Sequence, residues 1–306
     1  MATEPILAPF GMSVGEHRRF VGLRFLSDYW AITKPEVNFL IAITTAVGFY
    51  LGAPAPLAWT SLLNTVIGTV LVASGAGALN QWMEHRFDAN MRRTARRPVA
   101  AGRIAPVRAL IFGALLAIAG IAYLFLTENR LTSLLAVVTL VSYLFLYTPA
   151  KRITPFCTLM GAFPGAVPPL IGWAAASGSL APQACLLFAT VFLWQFPHFM
   201  AIAWMYREDY ARAGYLVLPS GEQRNHFVIW QTVLPSLALL PLSLIVATAG
   251  ASGFAYSACT LLLGSGLLYY GVRFAIRRSN IAARQLLVAS IVYLPVAFAL
   301  MSLNKR

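Results

Sequence analysis

Long runs of apolar residues, separated by short polar segments, repeat along most of the chain. A helix that crosses the hydrocarbon core of a bilayer needs roughly 17 to 25 such residues, and several runs reach this length. The apolar positions are continuous rather than alternating, which excludes the strands of a membrane β-barrel. The pattern predicts an all-α polytopic membrane protein with nine transmembrane helices, at residues 36–52, 58–82, 107–126, 131–149, 155–176, 183–206, 227–249, 253–272 and 285–303.

These runs leave little chain outside the helices. We expect residues 1–35 to form an N-terminal cytoplasmic tail and residues 36–303 to form a single transmembrane domain. The tail has neither the pattern of a secretory signal nor an Arg- and Ser-rich amphipathic presequence. This favours a multi-pass protein of the bacterial inner (plasma) membrane, with the mitochondrial inner membrane as the alternative.

The composition agrees with a membrane protein and indicates its orientation. Of the 306 residues, 59% are hydrophobic and 11% are charged, whereas soluble domains carry about 25% charged residues. The segments on the N-terminal side of the membrane hold 20 of the 23 Lys and Arg residues. The positive-inside rule therefore predicts a cytoplasmic N-terminus and an external C-terminus. Insertion and anionic membrane lipids explain the net charge of +13 without a nucleic-acid partner.

Polar residues follow the second apolar run at helical spacing. If the helix continues, Asn80, Glu84 and Asp88 lie on one face, one turn apart. Two like charges near a bilayer are unfavourable unless something compensates them, and Mg²⁺ binds one or two carboxylates together with substrate phosphates. The stripe is therefore a candidate metal and diphosphate site. The alternative is a solvated helix end whose acids pair with neighbouring arginines.

Basic residues lie in the segments that follow on the same side of the membrane. Arginine offers planar donors that suit phosphate or carboxylate oxygens. The same cations also satisfy the positive-inside rule, so both interpretations stay open for each of them. The candidates for binding an anion are Arg93, Arg97, Lys151 and Arg152.

The end of the sixth run carries a second group of polar residues. His198 lies inside the predicted helix, and an ionisable side chain there indicates function unless it bonds to a neighbouring helix. Glu208 and Asp209 are adjacent and must point in different directions, so we expect only one of them, Asp209, to face the site.

Together these residues resemble the motifs of the UbiA superfamily of membrane prenyltransferases, which carry an Asn-and-acid motif after the second of nine helices and another acidic motif after the sixth. The chain is most similar to the branch that prenylates haem. Tyr206 and Tyr210 stand where the quinone-type branch has two aspartates, and Glu84 stands where many relatives carry Asp. The segments that carry the resemblance are 33–36, 80–102, 147–155, 161–169 and 198–214.

The resemblance implies transfer of the farnesyl group of farnesyl diphosphate to a vinyl group of haem B, with addition of water, to give haem O and diphosphate. It implies Mg²⁺ as cofactor, haem B as a substrate, and a downstream haem A synthase as a possible partner. It assigns Asn80, Glu84 and Asp88 to the metal and to catalysis, and Asp209 to the second acidic motif. The residues expected to bind diphosphate or haem propionates are Arg93, Arg97, Lys151, Arg152 and Arg207, and those expected to bind haem are His198 and Tyr206.

Three other functions stay open at the level of the sequence. The first is prenylation of a quinone precursor or a chlorophyll-like ring, which the second motif disfavours. The second is a transporter. The predicted spans contain no acid well inside them and the chain shows no inverted repeat, and both observations disfavour this function. The third is a non-catalytic haem-handling protein, which would not need the stripe formed by Asn80, Glu84 and Asp88.

Overall fold

The computed structural model describes residues 24–249 and 254–305. Within these ranges it contains nine helices long and apolar enough to cross a membrane, and no strand. They are α1 Pro35–Gly52, α2 Trp59–Asp88, α3 Pro106–Thr127, α4 Arg130–Ala150, α5 Cys157–Ser177, α6 Pro182–Met205, α7 Gln223–Ala249, α8 Phe254–Arg277 and α9 Asn280–Leu303. The predicted all-α fold with nine spans is therefore confirmed. Most of the predicted N-terminal tail, residues 1–23, lies outside the described part.

The largest differences from the predicted boundaries occur at one end of the bundle. The second helix continues past its apolar run to Asp88, and α8 and α9 extend to Arg277 and from Asn280. An apolar pattern locates the part of a helix that faces lipid. It does not report the polar turns with which a helix continues beyond the lipid.

Helices α1 and α5 approach each other closely enough to require glycine. A Cβ atom at Gly172 would lie 1.9 Å from the carbonyl oxygen of Thr45, and one at Gly48 would lie 2.0 Å from that of Pro169. No side chain fits at either distance. Since α1 also packs against α2, this contact fixes α5 relative to the helix that carries the acidic stripe.

Helix α4 changes geometry near its end. Its α-helical part ends at Val141, and residues Ser142–Tyr147 form a π-helix before a last turn at Thr148–Ala150. The hydroxyl of Thr148 donates to the carbonyl oxygen of Tyr143, five residues earlier. Such segments occur often at functional sites because they change the direction of side chains.

The segments that follow the even-numbered helices meet at one end of the bundle. We call this end the motif face, defined by residues 33–34, 89–105, 151–156, 206–222 and 278–279. A short helix, Arg207–Arg212, lies within it. The backbone N–H of Leu216 donates to the carbonyl oxygen of Lys151 over 2.7 Å, which joins two of these segments.

Candidate active site

The polar stripe of α2 is buried beneath the motif face. Asn80, Glu84 and Asp88 retain 2%, 5% and 2% of their accessible surface. Because α2 continues to Asp88, all three lie on one side of the helix. The side-chain amide of Asn80 donates to Glu84 Oε2 over 2.9 Å and to the hydroxyl of Thr148 over 3.3 Å. The stripe is therefore connected to the end of α4 as well as within α2.

Each member of the stripe has a cationic partner from another segment. Lys151 Nζ lies 2.5 Å from Glu84 Oε1, and Arg97 Nη1 lies 2.8 Å from Asp88 Oδ2. Lys34 Nζ donates to Asn80 Oδ1 over 2.6 Å. Three basic side chains thus surround two carboxylates, and the group carries one net positive charge when all three are protonated. Such a cluster can receive an anion that brings its own metal ion.

The position of Lys34 depends on two features of the backbone. Lys34 has a φ of 56°, in the left-handed region that residues other than glycine seldom adopt. On α2, a Cβ atom at Gly77 would lie 3.2 Å from the carbonyl oxygens of Ile32 and Thr33, so glycine allows this segment to approach. Burial lowers the pKa of Lys34 to about 7, and the nearby Arg97 guanidinium acts in the same direction.

The other two cations are held in their charged forms. Burial opposes the charge of Lys151, but the Glu84 carboxylate outweighs it and raises the pKa of Lys151 above its usual value. Asp88 raises the pKa of Arg97 against burial in the same way. The ammonium of Lys151 also lies over the rings of Tyr147 and Tyr215, 4.8 Å and 5.6 Å from their centroids. These contacts position Lys151 toward the stripe.

The residues after α6 hold the segment that carries Arg93. Asp209 is buried, whereas the side chain of Glu208 is 80% exposed. Asp209 accepts the backbone N–H of Arg93 over 3.3 Å and pairs with Arg212 at 3.2 Å. The Arg93 guanidinium lies 5.1 Å from the centroid of the Tyr206 ring. It also contacts Tyr210, which stands at the second position where the quinone-type pattern has aspartate.

Two other predicted anion-binding residues have partners away from the stripe. The Arg152 guanidinium lies over the ring of Phe87, 4.7 Å from its centroid. Arg207 donates to the carbonyl oxygen of Trp204 and to Asn280 Oδ1, both over 2.8 Å. Arg207 therefore connects α6 to the start of α9, and the structure does not bring it to Glu84 or Asp88.

His198 also lies apart from the stripe. Its Nδ1 atom is 2.9 Å from the hydroxyl of Ser290 on α9, and its ring stacks on Trp194 with 4.8 Å between centroids. The indole N–H of Trp194 donates to the carbonyl oxygen of Ser290 over 2.7 Å. These contacts place His198 between α6 and α9, and its assignment to haem stays a prediction.

Sequence reasoning did not assign roles to several residues of the site. The structure adds Lys34, Tyr143 and Thr148 to the site. The Tyr143 hydroxyl accepts a hydrogen bond from Lys34 Nζ over 3.4 Å. The segment containing Lys34 had been noted for its resemblance, but a lysine next to an apolar run is equally expected from the positive-inside rule. No feature of the apolar run predicts the π-helical turn that brings Tyr143 here.

The ligand chemistry of the stripe fits Mg²⁺. In the described part of the chain, no three His, Cys, Asp or Glu side chains come close enough to form a metal site alone. Glu84, Asp88 and the amide oxygen of Asn80 do offer hard oxygen ligands, which Mg²⁺ prefers, and phosphate oxygens commonly complete its coordination. The surrounding cations then balance the remaining negative charge of a diphosphate.

Known proteins resemble this chain in both sequence and fold. The model of the UbiA prenyltransferase family matches residues 41–302. Protoheme IX farnesyltransferase of Solibacter usitatus is 47% identical over 289 residues, covering 92% of this chain and 99% of that protein. The mitochondrial protoheme IX farnesyltransferase of Homo sapiens is 38% identical over 277 residues, covering 90% of this chain and 61% of that protein.

Solved structures agree with the fold. A digeranylgeranylglyceryl phosphate synthase superposes with a TM-score of 0.74 at 16% identity, covering 91% of this chain and 98% of that one. A UbiA homologue from Archaeoglobus fulgidus, bound to GPP and Mg²⁺, superposes with a TM-score of 0.63 at 14% identity, covering 90% and 99%. At these identities the similarity establishes a shared arrangement of helices.

Proposed function

The chain belongs to the UbiA prenyltransferase family, and from this premise we propose that it farnesylates haem B to give haem O. The observation that carries the proposal is the close similarity, over nearly their full length, to bacterial proteins named protoheme IX farnesyltransferase. The sequence prediction of the haem branch rested on the second motif, where Tyr206 and Tyr210 replace acidic residues. In the structure these tyrosines contact Arg93.

The first chemical problem is departure of the diphosphate with its bonding electron pair. We assign Glu84, Asp88 and Asn80 to holding Mg²⁺, which neutralises charge on the leaving oxygens when bound. Lys151 and Arg97 already lie within contact distance of the two carboxylates, and both keep their charge under burial. They would stabilise the developing negative charge because they are positioned before the reaction begins.

Arg93 supplies a further cation at the edge of the site. It lies between the α2 segment and the short helix Arg207–Arg212, where Asp209 holds its backbone. We assign Arg93 to the outer oxygens of the diphosphate and Asp209 to positioning Arg93. The contacts of Asp209 with Arg93 and Arg212 account for its burial without a metal ion.

The second problem is capture of the allylic cation by the correct partner. The farnesyl C1 atom forms a bond with the terminal carbon of a haem vinyl group, which leaves a positive charge on the vinyl carbon next to the ring. One water molecule then adds to that carbon and releases a proton, giving the hydroxylated side chain of haem O. An apolar environment protects the cation from water until the new bond has formed.

The chain is an integral membrane protein. We propose that the motif face lies on the cytoplasmic side of a bacterial inner membrane, since the segments predicted for this side, including the N-terminal tail, hold 20 of the 23 Lys and Arg residues. Farnesyl diphosphate would then reach the site from the cytoplasm, and haem B would reach it from the bilayer. The product would pass to an enzyme that oxidises haem O further.

The proposal is tested by turnover of purified protein in lipid nanodiscs with haem B, farnesyl diphosphate and Mg²⁺. We expect a porphyrin product heavier by a farnesyl group plus a hydroxyl group, with none formed in EDTA and recovery on addition of excess Mg²⁺. Folded protein that leaves haem B unchanged but prenylates a quinone precursor would contradict the haem assignment. Full activity in EDTA would contradict the metal assignment.

A further inference from the structure

A cavity of about 700 Å³ lies between the start of α5, the middle of α6 and the first half of α7. This volume lies within the roughly 300–1,000 Å³ typical of pockets for small organic molecules. The rings of Phe156, Phe196, Phe227 and Trp230 line it. Trp230 is 63% exposed, so the cavity is open on the outer side of α7. A ligand could therefore enter from the bilayer.

The cavity adjoins the active site through the motif face. Phe156 follows Lys151 by five residues, and Pro219 lines the cavity from the segment whose Leu216 bonds to Lys151. The two segments that border the cavity thus also hold the lysine that pairs with Glu84. A molecule in the cavity would be next to the diphosphate site without occupying it.

A cation stands at the edge of the cavity on this side. The Nε atom of Arg224 donates to the carbonyl oxygen of Pro219 over 3.0 Å. A guanidinium has five N–H donors, so this bond leaves the terminal nitrogens to bind carboxylate oxygens. An apolar, ring-lined cavity with a cation at its edge fits an amphiphile that has a flat apolar body and acidic groups on one side.

Two polar side chains line this largely apolar cavity, Gln223 at its exposed edge and the more deeply placed Gln231. The amide oxygen of Gln231 is inaccessible to solvent and has no hydrogen-bond partner among the described residues. A buried acceptor without a partner is costly, and rotation of the side chain toward the cavity would let this oxygen bind a water molecule. The proposed reaction consumes one water molecule at the porphyrin.

From these observations we propose that the cavity between α5, α6 and α7 binds the porphyrin acceptor, and that Gln231 holds the water molecule that adds to its vinyl group. The inference rests on the proposed function. Farnesyl diphosphate has one anionic end, which the α2 stripe receives, whereas the haem propionates need a separate cation, which Arg224 supplies. Phe196 and His198 are two residues apart on α6 and face nearly opposite directions. Binding of the porphyrin in this cavity is therefore an alternative to its binding by His198.

The test of the cavity uses two exposed leucines of α7. Leu234 lines the cavity, and Leu237, one turn later, does not; they are 44% and 49% exposed. The added ring in Leu234→Trp would fill the cavity, while Leu237→Trp serves as the matched control. We expect Leu234→Trp to raise the Kd for haem B at least tenfold in nanodiscs, measured by the haem absorbance, and to leave binding of farnesyl diphosphate unchanged.

Three results would overturn the assignment of this cavity to the porphyrin. Equal haem binding by the two tryptophan variants would do so, as would a loss confined to His198→Ala. A change only in the amount of co-purified phospholipid would show that the cavity binds lipid. Failure of the proposed function is distinguishable, because in that case the unsubstituted protein would not farnesylate haem at all.

The role of Gln231 is tested by the product, which a purely structural role would not change. In Gln231→Leu, the cation on the vinyl carbon loses a proton from the adjacent carbon instead of gaining water. We expect a larger share of farnesylated haem lighter by one water, with haem B binding within about twofold of the unsubstituted protein. Gln285→Leu is the matched control, because it removes another buried amide oxygen without a partner among the described residues and lies outside this cavity. An unchanged product ratio in Gln231→Leu would remove Gln231 from the reaction.

Discussion

At the scale of single residues, the site is organised by pairing between buried charges. Glu84 and Asp88 would repel each other on one face of α2 if they were alone. Lys151 and Arg97 come from different segments and compensate them. Because a buried charge without its partner is strongly unfavourable, the acids and the cations depend on each other. A diphosphate with Mg²⁺ can take over part of this pairing when it binds.

Replacement of one carboxylate tests this arrangement with little change in shape. Glu84→Gln keeps the hydrogen-bonding side chain but removes a metal ligand and the partner of Lys151. We expect kcat/KM for farnesyl diphosphate to fall about 100-fold or more. Mutation of residues that only support a metal ligand already lowers metal affinity or activity about 10- to 100-fold. Steady-state turnover over a series of Mg²⁺ concentrations measures the loss.

The matched control for this variant is Glu208→Gln, which removes a nearby acid with an exposed side chain. Its turnover should stay within about twofold of the unsubstituted protein. Thermal unfolding of both variants in detergent shows whether they are folded. Near-normal turnover of Glu84→Gln at limiting Mg²⁺ would exclude Glu84 from the metal site.

At the scale of elements, the site depends on how closely helices approach and on the end of α4. The π-helical segment Ser142–Tyr147 turns Tyr143 and Tyr147 toward Lys34 and Lys151. The contact of α1 with α5, made at Thr45 and Gly48, fixes the second half of α1 relative to the rest of the bundle, and Lys34 precedes the other end of this helix. Small residues permit such contacts because they let helix backbones approach each other.

The α1–α5 contact predicts a large effect of a single methyl group. In Gly172→Ala the new Cβ atom would overlap the carbonyl oxygen of Thr45. The helices must separate, which costs roughly 1–3 kcal/mol, although alanine is otherwise the better helix former. We expect a lower Tm for Gly172→Ala in detergent. Gly266→Ala, with nothing within 4 Å of the added Cβ, should not lower it, and equal Tm values would refute the close contact.

At the scale of the whole molecule, the distribution of charge predicts orientation in the membrane. The motif face covers the candidate active site, and the segments predicted for this side of the membrane hold 20 of the 23 Lys and Arg residues, so we expect it to face the cytoplasm. Single cysteines in a cysteine-free variant test this, with Glu222→Cys on the motif face and Ser179→Cys in the loop between α5 and α6.

In spheroplasts, a membrane-impermeant thiol reagent should label Ser179→Cys and leave Glu222→Cys unlabelled until the membrane is permeabilised. Both substituted side chains replace exposed residues, so access within the protein does not limit the reaction. Labelling of Glu222→Cys in intact spheroplasts would reverse the predicted orientation. Inverted vesicles, in which the pattern should be the opposite, provide the control.

The sequence by itself determined the number of helices, because transfer of apolar residues into a bilayer is a local property of each segment. It also placed Asn80, Glu84 and Asp88 on one face, since helical spacing fixes which neighbours share a side. The assignment to the haem branch followed from motif residues, and the similarity to protoheme IX farnesyltransferases confirmed it.

Only the tertiary structure decided which cations reach the stripe. Lys34, Arg97 and Lys151 do so, whereas Arg152 and Arg207 contact other residues. A basic residue near a membrane satisfies the same orientation rule whether it points inward or outward, so its sequence position cannot separate the two. The distinction depends on contacts between segments distant in the chain, such as Gly77 with the segment at Ile32 and Thr33, and these arise only when the helices pack.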